Sequence, residues 1–233
     1  MDSYELEELT AWIAGFFTNL FNLTLIYPII DAFKNKLDFK NVPLLLITLS
    51  YFHCLFWLIN GKVIFTEPIY ICFMISSIIC LVPLVIYIIT ELKRNILDAL
   101  LNILLLVLIP WGIYKYLTVK LDDDRIISPL CLCASIVFFL YYLYLMFTSS
   151  KIQTMNLIDF ISSVILLCSS ISWIIYGIIS IDFYFIISYI IGAVFSSAKI
   201  FLYVYNKKKF KSNPNANNIN SKVLFNEKFE KGS

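Results

Sequence analysis

The sequence predicts an all-α integral membrane protein with seven transmembrane helices. Of its 233 residues, 60% are hydrophobic and only 15% are charged, against about 25% charged residues in ordinary globular domains. The mean hydropathy is +0.83, and the charged residues leave seven apolar stretches between them. A soluble chain of this size would still expose most of its residues to water. Soluble, collagen-like, disordered and nucleic-acid-binding proteins are therefore excluded as descriptions of the whole chain.

Each of the seven stretches is close to the roughly 20 apolar residues that cross a hydrocarbon core. They cover residues 9–30, 41–61, 68–90, 99–114, 126–150, 160–181 and 183–206. The fourth is the shortest and makes a full span if Asp98 and Lys115 lie at the interfaces, and the seventh is interrupted by Lys199. We therefore predict seven helices, called predicted helices 1 to 7 below.

The basic residues indicate the orientation, because cytosolic loops carry an excess of Lys and Arg. Most of them follow predicted helices 1, 3, 5 and 7, at Lys34, Lys36, Lys40, Lys93, Arg94, Lys151, Lys207, Lys208, Lys209 and Lys211. We expect the N-terminus outside and the C-terminus in the cytosol, in the plasma membrane or, alternatively, an endomembrane. The first ten residues are acidic, unlike the basic start of a signal peptide, so we expect predicted helix 1 to be retained.

An internal repeat appears when the sequence is shifted by 116 residues. Trp57 then falls on Trp173 and Gly61 on Gly177, so that Trp-x-x-x-Gly ends both predicted helix 2 and predicted helix 6. Three spans reverse the direction of a chain, and a fourth restores it, so the two repeats become parallel. The sequence thus predicts a 3+1+3 arrangement: a first triple-helix bundle at 1–94, a linker helix at 95–120, a second bundle at 121–206 and a disordered cytosolic tail at 207–233.

In these features the chain resembles the SWEET family of sugar transporters. The resemblance covers predicted helices 1–3 and 5–7 and rests on short motifs: Tyr27-Pro28 with Lys34 and Lys36, Val42-Pro43, Trp57 to Gly61, Ser172 to Gly177, Asp182 and Gly192. It implies facilitative, bidirectional transport of a small mono- or disaccharide by alternating access, without a cofactor. It also implies a possible homo-oligomer in the lipid bilayer.

The chain departs from the family pattern at several positions. The family carries a proline in helices 1, 2, 5 and 6; Pro28 and Pro43 match the first two, but Tyr142 and Asp159 stand where the others would be. The resemblance implies that Pro28 and Pro43 are hinges. The alternative for Pro43 is the first turn of a helix, where its missing N–H costs nothing.

The candidate substrate-binding residues are aromatic and polar side chains inside the spans. A sugar ring presents a C–H face that packs on an indole, so Trp57 and Trp173 are expected to face each other across a pocket; the alternative is an interfacial belt. His53 precedes Trp57 by four residues and shares its helix face. It is a proton carrier, a ligand donor or a neutral histidine bonded to a neighbouring helix.

Three further residues complete the predicted binding site. By the resemblance, the two sugar-binding asparagines of the family fall near Met74 and on Tyr189. Asn19, with Asn22 about one helical turn away in predicted helix 1, supplies polar contacts. The alternative for Tyr189 and Asn19 is hydrogen bonding between helices.

Lys199 and Asp159 are charged residues within or near spans. The favoured interpretation is that Lys199 extends its side chain to the cytosolic interface and that Asp159 reaches water. The alternative is that the two form part of an inner gate.

The remaining function classes follow from what the sequence lacks. It has no Ser/His/Asp or Cys/His constellation and no phosphate-binding loop, so we expect neither an enzyme nor an ATP-driven pump, and no metal site. The alternatives are a PQ-loop-type transporter of another small solute, such as an amino acid, and a seven-helix sorting or signalling receptor.

Overall fold

The structure is a computed structural model that describes residues 3–34, 44–64, 66–92, 112, 115, 124–152 and 157–212. Within these ranges the chain forms seven helices: α1 Ser3–Thr24, α2 Tyr27–Lys34, α3 Leu44–Val63, α4 Glu67–Leu92, α5 Asp124–Ile152, α6 Leu157–Ile179 and α7 Phe183–Ser212. Among the described residues, six spans are long and apolar enough to cross a membrane, with α1 and α2 together making the first, Tyr4–Ile30. The predicted all-α membrane class is confirmed.

The predicted linker helix and the predicted C-terminal tail are described only in part. The predicted linker helix at 95–120 lies outside them except for Gly112 and Lys115. The predicted tail was expected to begin at 207, but α7 continues to Ser212. Lysine is a good helix former, and its charged end is compatible with a helix that leaves the membrane. Residues 213–233 lie outside the described ranges.

The first span breaks between α1 and α2, just before Pro28. The amides of Leu25 and Ile26 bond to carbonyls only three residues back, at 3.1 and 3.2 Å, so the helix tightens as it ends. Pro28 is then the second residue of α2. Its ring excludes the carbonyl of residue 24 from a continuous helix, which explains why the break lies there.

The long helices pack as two groups. In the group called here the first unit, α1 and α3 both contact α4; in the second unit, α5 and α6 both contact α7. The most extensive contacts between the units are those of α1 with α6 and of α3 with α5. When α1, α3 and α4 are matched with α5, α6 and α7, each of these helix–helix contacts therefore has an equivalent contact.

The turns α3–α4 and α6–α7 share the same backbone hydrogen bonds. In the first turn these are Ile64 N to Asn60 O (2.9 Å), Thr66 N to Gly61 O (3.0 Å) and Tyr70 N to Thr66 O (3.1 Å). In the second they are Ser180 N to Tyr176 O (2.9 Å), Asp182 N to Gly177 O (2.8 Å) and Ile186 N to Asp182 O (3.2 Å). Every donor and acceptor of the second set lies 116 residues after its counterpart.

The glycine of each Trp-x-x-x-Gly motif allows the next helix to approach. A Cβ on Gly61 would lie 2.8 Å from the amide nitrogen of Tyr70, and one on Gly177 would lie 3.1 Å from that of Ile186. Both contacts involve backbone, which cannot rotate away as a side chain can. Glycine is therefore needed at each turn because of space.

We predict that Gly61→Ala and Gly177→Ala each destabilise the protein by about 1–3 kcal/mol, the usual cost of overpacking. The measurement is the thermal unfolding midpoint of the purified protein in detergent. Gly112→Ala is the control, since no described atom lies within 4 Å of a Cβ built there. Equal midpoints for all three variants would contradict the close-approach explanation.

Candidate functional site

The two tryptophans of the repeated motif lie in a cluster of rings at the centre of the protein. Both Trp57 and Trp173 are 0% exposed, so neither forms part of an interfacial belt. Phe73 contacts both indoles, with ring centroids 6.1 Å from Trp57 and 5.2 Å from Trp173. Phe185 does the same at 4.0 and 5.1 Å. Instead of facing each other across an open space, the indoles are separated by two phenylalanines.

Tyr189 completes this central aromatic cluster. Its ring centroid lies 6.2 Å from that of Trp57 and 5.7 Å from that of Trp173. The rings come from α3 and α4 of the first unit and from α6 and α7 of the second. The cluster is thus the place where the aromatic surfaces of the two units meet.

Each indole N–H is bonded to a hydroxyl of the opposite unit. Trp57 Nε1 donates to Ser135 Oγ on α5 at 3.2 Å, and Trp173 Nε1 donates to Thr18 Oγ1 on α1 at 2.8 Å. An unpaired indole N–H buried inside the membrane would be costly. These two bonds therefore hold α3 against α5 and α6 against α1.

A second side chain contacts each of these hydroxyls from four residues before the tryptophan. His53 Nδ1 lies 3.2 Å from Ser135 Oγ, and Ser169 Oγ lies 2.8 Å from Thr18 Oγ1. Ser169 follows His53 by 116 residues. The predicted face shared by His53 and Trp57 is thus used to bind one neighbouring hydroxyl, and the His53 ring also stacks on Phe138 at 5.2 Å.

A small cavity adjoins the cluster on the side of the Leu44 end of α3. Its room is that of about one water molecule. The polar residues in its lining are Thr18, Asn22, Ser50, His53, Ser169 and Tyr189. Its described lining contains no Asp, Glu, Lys or Arg.

The two asparagines of α1 bond to neighbouring helices. Asn19 Oδ1 accepts a hydrogen bond from Ser76 Oγ on α4 at 2.6 Å. Asn22 Oδ1 accepts one from Ser50 Oγ on α3 at 2.9 Å. Only Asn22 also lines the cavity, so Asn19 has the interhelical contact that was the alternative to a pocket role.

Met74 is not brought to the central cluster. Its side chain is 36% exposed on the outer face of α4, whereas its neighbour Phe73 is fully buried between the indoles. Consecutive helical residues point about 100° apart. An error of one residue in the predicted position therefore puts the side chain outside the aromatic cluster. The 116-residue offset identifies Phe73 as the counterpart of Tyr189 and would have identified it from the sequence. Phe185 has Ile69 as its counterpart, so no repeat signal marked it.

Lys199 and Asp159 form an ion pair, with Nζ and Oδ1 3.8 Å apart. The Lys199 side chain is 11% exposed and lies over the Tyr142 ring, 4.5 Å from its centroid, while Asp159 is 43% exposed. Lys199 therefore does not extend into water. All three residues belong to the second unit, so this contact crosses no boundary between units. Pro43 lies outside the described residues.

Two hydrogen bonds join the units near the other ends of α3 and α6. Ser128 Oγ on α5 donates to Asn60 Oδ1 at 3.1 Å. The Tyr176 hydroxyl donates to Glu7 Oε1 on α1 at 3.3 Å. Asn60 and Tyr176 each follow a motif tryptophan by three residues and occupy equivalent positions under the offset.

No family model matches the sequence, and no curated protein matches it. Among solved structures the chain is similar to a eukaryotic SWEET transporter determined at 3.7 Å. The TM-score is 0.71 and the sequence identity 17%, with 87% of this chain and 99% of that chain covered. The chain has the fold of a SWEET transporter.

Within the described ranges, no three His, Cys, Asp or Glu side chains converge to bind a metal ion.

We predict that substituting Asp159 and substituting Lys199 in the ion pair lower the stability of the protein by different amounts. Asp159→Asn leaves a buried ammonium without its partner and should lower stability by about 1–3 kcal/mol. Lys199→Met leaves a carboxylate that water already reaches and should cost less. The thermal unfolding midpoints of the two single variants and the double variant provide the measurement. A larger loss for Lys199→Met than for Asp159→Asn would contradict the assigned burial of the lysine.

Proposed function

We propose that the protein is a facilitative transporter that carries a small sugar in both directions by alternating access. The observation that carries the proposal is the central layer: two paired tryptophans, each bonded across the boundary between units, next to a cavity with hydroxyl, amide and imidazole groups. A sugar ring has apolar C–H faces for the aromatic rings and hydroxyls for the polar groups.

The proposal includes a 3+1+3 repeat, with the linker helix at 95–120 as the seventh span. The matching hydrogen bonds of the two turns support it, as do the equivalent glycines and the equivalent helix packings. With seven spans, the lysines at the end of α7 lie on the side opposite to the acidic N-terminus. That supports an outside N-terminus and a cytosolic C-terminus under the rule for basic residues. The plasma membrane and a homo-oligomer remain parts of the proposal.

Transport requires the two units to move apart, because a cavity with room for about one water cannot hold a sugar. The bonds Asn60–Ser128 and Tyr176–Glu7 join the units at the outer end in the proposed orientation. We propose them as outer closing contacts. The break before Pro28 supports a hinge in the first span. The Lys199–Asp159 pair lies within one unit, so it would move with that unit and brace it, while an inner gate would need a contact between units.

The lining favours a sugar over the amino-acid alternative. An amino acid carries an ammonium and a carboxylate, and burying either without a charged partner is costly. The described lining offers neither sign of fixed charge. In a receptor the polar cavity would have no role in moving a solute. Solute exchange across a membrane therefore distinguishes a transporter from a receptor.

The test is counterflow of radiolabelled D-glucose, D-fructose and sucrose into liposomes that contain the purified protein, with labelled L-alanine as the amino-acid arm. We expect exchange of at least one sugar and none of L-alanine. Trp173→Phe keeps a ring but removes the N–H to Thr18, and Thr18→Val removes the matching acceptor. Each should reduce exchange about tenfold, because a buried hydrogen bond loses one partner. Tyr205→Phe, at an exposed position of α7, should have less effect. Protein that is folded but exchanges no sugar would refute the proposal.

A further inference from the structure

Two polar groups that line the cavity have hydrogen-bonding capacity that the described residues do not use. Tyr189 is 2% exposed, and its hydroxyl has no partner among the described residues. His53 is bonded through Nδ1, which leaves Nε2. A buried hydroxyl without a partner is destabilising, and a ligand that enters when the two units move apart would relieve that cost. The other polar groups of the lining already bond to one another.

The bonds of Ser135 assign the proton of His53. A serine hydroxyl has one hydrogen to donate and two lone pairs. Ser135 Oγ donates to the carbonyl of Cys131, four residues back, at 2.8 Å and accepts from Trp57 Nε1. We place the Ser135 hydrogen on this carbonyl because it is nearer than His53 Nδ1, which lies 3.2 Å away. The remaining lone pair then accepts from His53, and the proton of the neutral imidazole is assigned to Nδ1. Nε2 is then an acceptor for a ligand.

The equivalent hydroxyl in the other half has the same bonding pattern. Thr18 Oγ1 donates to the carbonyl of Ala14, four residues back, at 2.9 Å and accepts from Trp173. With the Thr18 hydrogen placed on that carbonyl, Ser169 donates to Thr18, as His53 donates to Ser135. The two halves differ in what remains: Ser169 has donated its only hydrogen, while His53 keeps a second, accepting nitrogen. Likewise, Tyr189 has a hydroxyl where its counterpart Phe73 has none.

We infer that His53 Nε2 and the Tyr189 hydroxyl form a directional recognition pair for an uncharged polyhydroxy ligand. This inference rests on the proposed function and assigns the atoms that read the substrate. One ligand hydroxyl donates to His53 Nε2, and a nearby ligand oxygen accepts from Tyr189. The two rings are 6.2 Å apart between centroids and edge-to-face, so both can contact one small molecule. Sugars and sugar alcohols have this chemistry, whereas sugar phosphates, sugar acids and amino acids add a charge that the lining does not balance.

The test measures ligand-induced thermal stabilisation of the purified protein by D-glucose, D-xylose and erythritol, with L-serine as the charged comparison. The D-glucose series is then repeated with each hydroxyl replaced by hydrogen or by fluorine. Fluorine accepts weakly and does not donate. At the ring position that faces His53, both replacements should weaken binding, by about fivefold each. At the position that faces Tyr189, the fluoro sugar should bind better than the deoxy sugar.

The matched variants copy each residue's counterpart in the other half. His53→Ser keeps a donor for Ser135 and removes Nε2, while Tyr189→Phe keeps the ring and removes the hydroxyl. Each should weaken binding of D-glucose about fivefold and abolish the penalty at one ring position only. Tyr205→Phe, an exposed tyrosine on α7, is the control and should leave both penalties in place. If His53→Ser does not fold, the comparison of fluoro and deoxy sugars on the unaltered protein still decides.

The outcomes separate this inference from the proposed transport. Sugar-induced stabilisation that depends on both residues, without exchange in liposomes, would refute transport and support the recognition pair. Exchange of sugar with unchanged deoxy and fluoro penalties in both variants would overturn the recognition pair and leave transport standing. The absence of stabilisation by all three polyols, or equal stabilisation by L-serine, would also overturn it.

Discussion

The rest of the central structure depends on the hydrogen bond of each buried indole to a hydroxyl of the opposite unit. Inside a membrane no water satisfies an indole N–H, so its partner must come from the protein. That partner comes from α5 for Trp57 and from α1 for Trp173. The bonds therefore fix the heights at which α3 meets α5 and α6 meets α1, and this alignment brings Phe73, Phe185 and Tyr189 between the indoles.

The sequence predicted the six described spans and the equivalent positions of the two tryptophans because each has a local signature. Apolar length between charges marks a span, and a repeated Trp-x-x-x-Gly marks two equivalent helix ends. It did not place Phe73 in the site, since the choice between Phe73 and Met74 depends on one residue of helix phase, and the resemblance indicated only a neighbourhood. The burial of Lys199 was also missed. Extension to water depends on a free path, and the Tyr142 ring and Asp159 hold the ammonium instead.

For ligand selectivity, the differences between equivalent positions of the two halves are more informative than the similarities. Two equal halves would present the same groups twice, and an asymmetric ligand could use only part of each set. Here the first half contributes an imidazole where the second has Ser169, and the second contributes a phenol hydroxyl where the first has Phe73. The groups shared by the halves hold the helices together. In the proposed recognition pair, the two groups that contact a ligand, His53 Nε2 and the Tyr189 hydroxyl, each occur in only one half. Chemical selectivity would then reside at positions where the proposed duplication has diverged.

The same bonds that close the centre also constrain how it would open. Separating the units breaks the Trp57–Ser135 and Trp173–Thr18 bonds, and leaving four such groups unpaired in a membrane would oppose the motion strongly. Entering water or a polyhydroxy solute can bond to the same indoles and hydroxyls as they part. Each hydrogen bond between the units is then replaced by another, with little change in free energy at each step. An apolar solute offers no such replacement. The central layer would therefore select polar solutes twice, once through the recognition pair and once through the cost of opening.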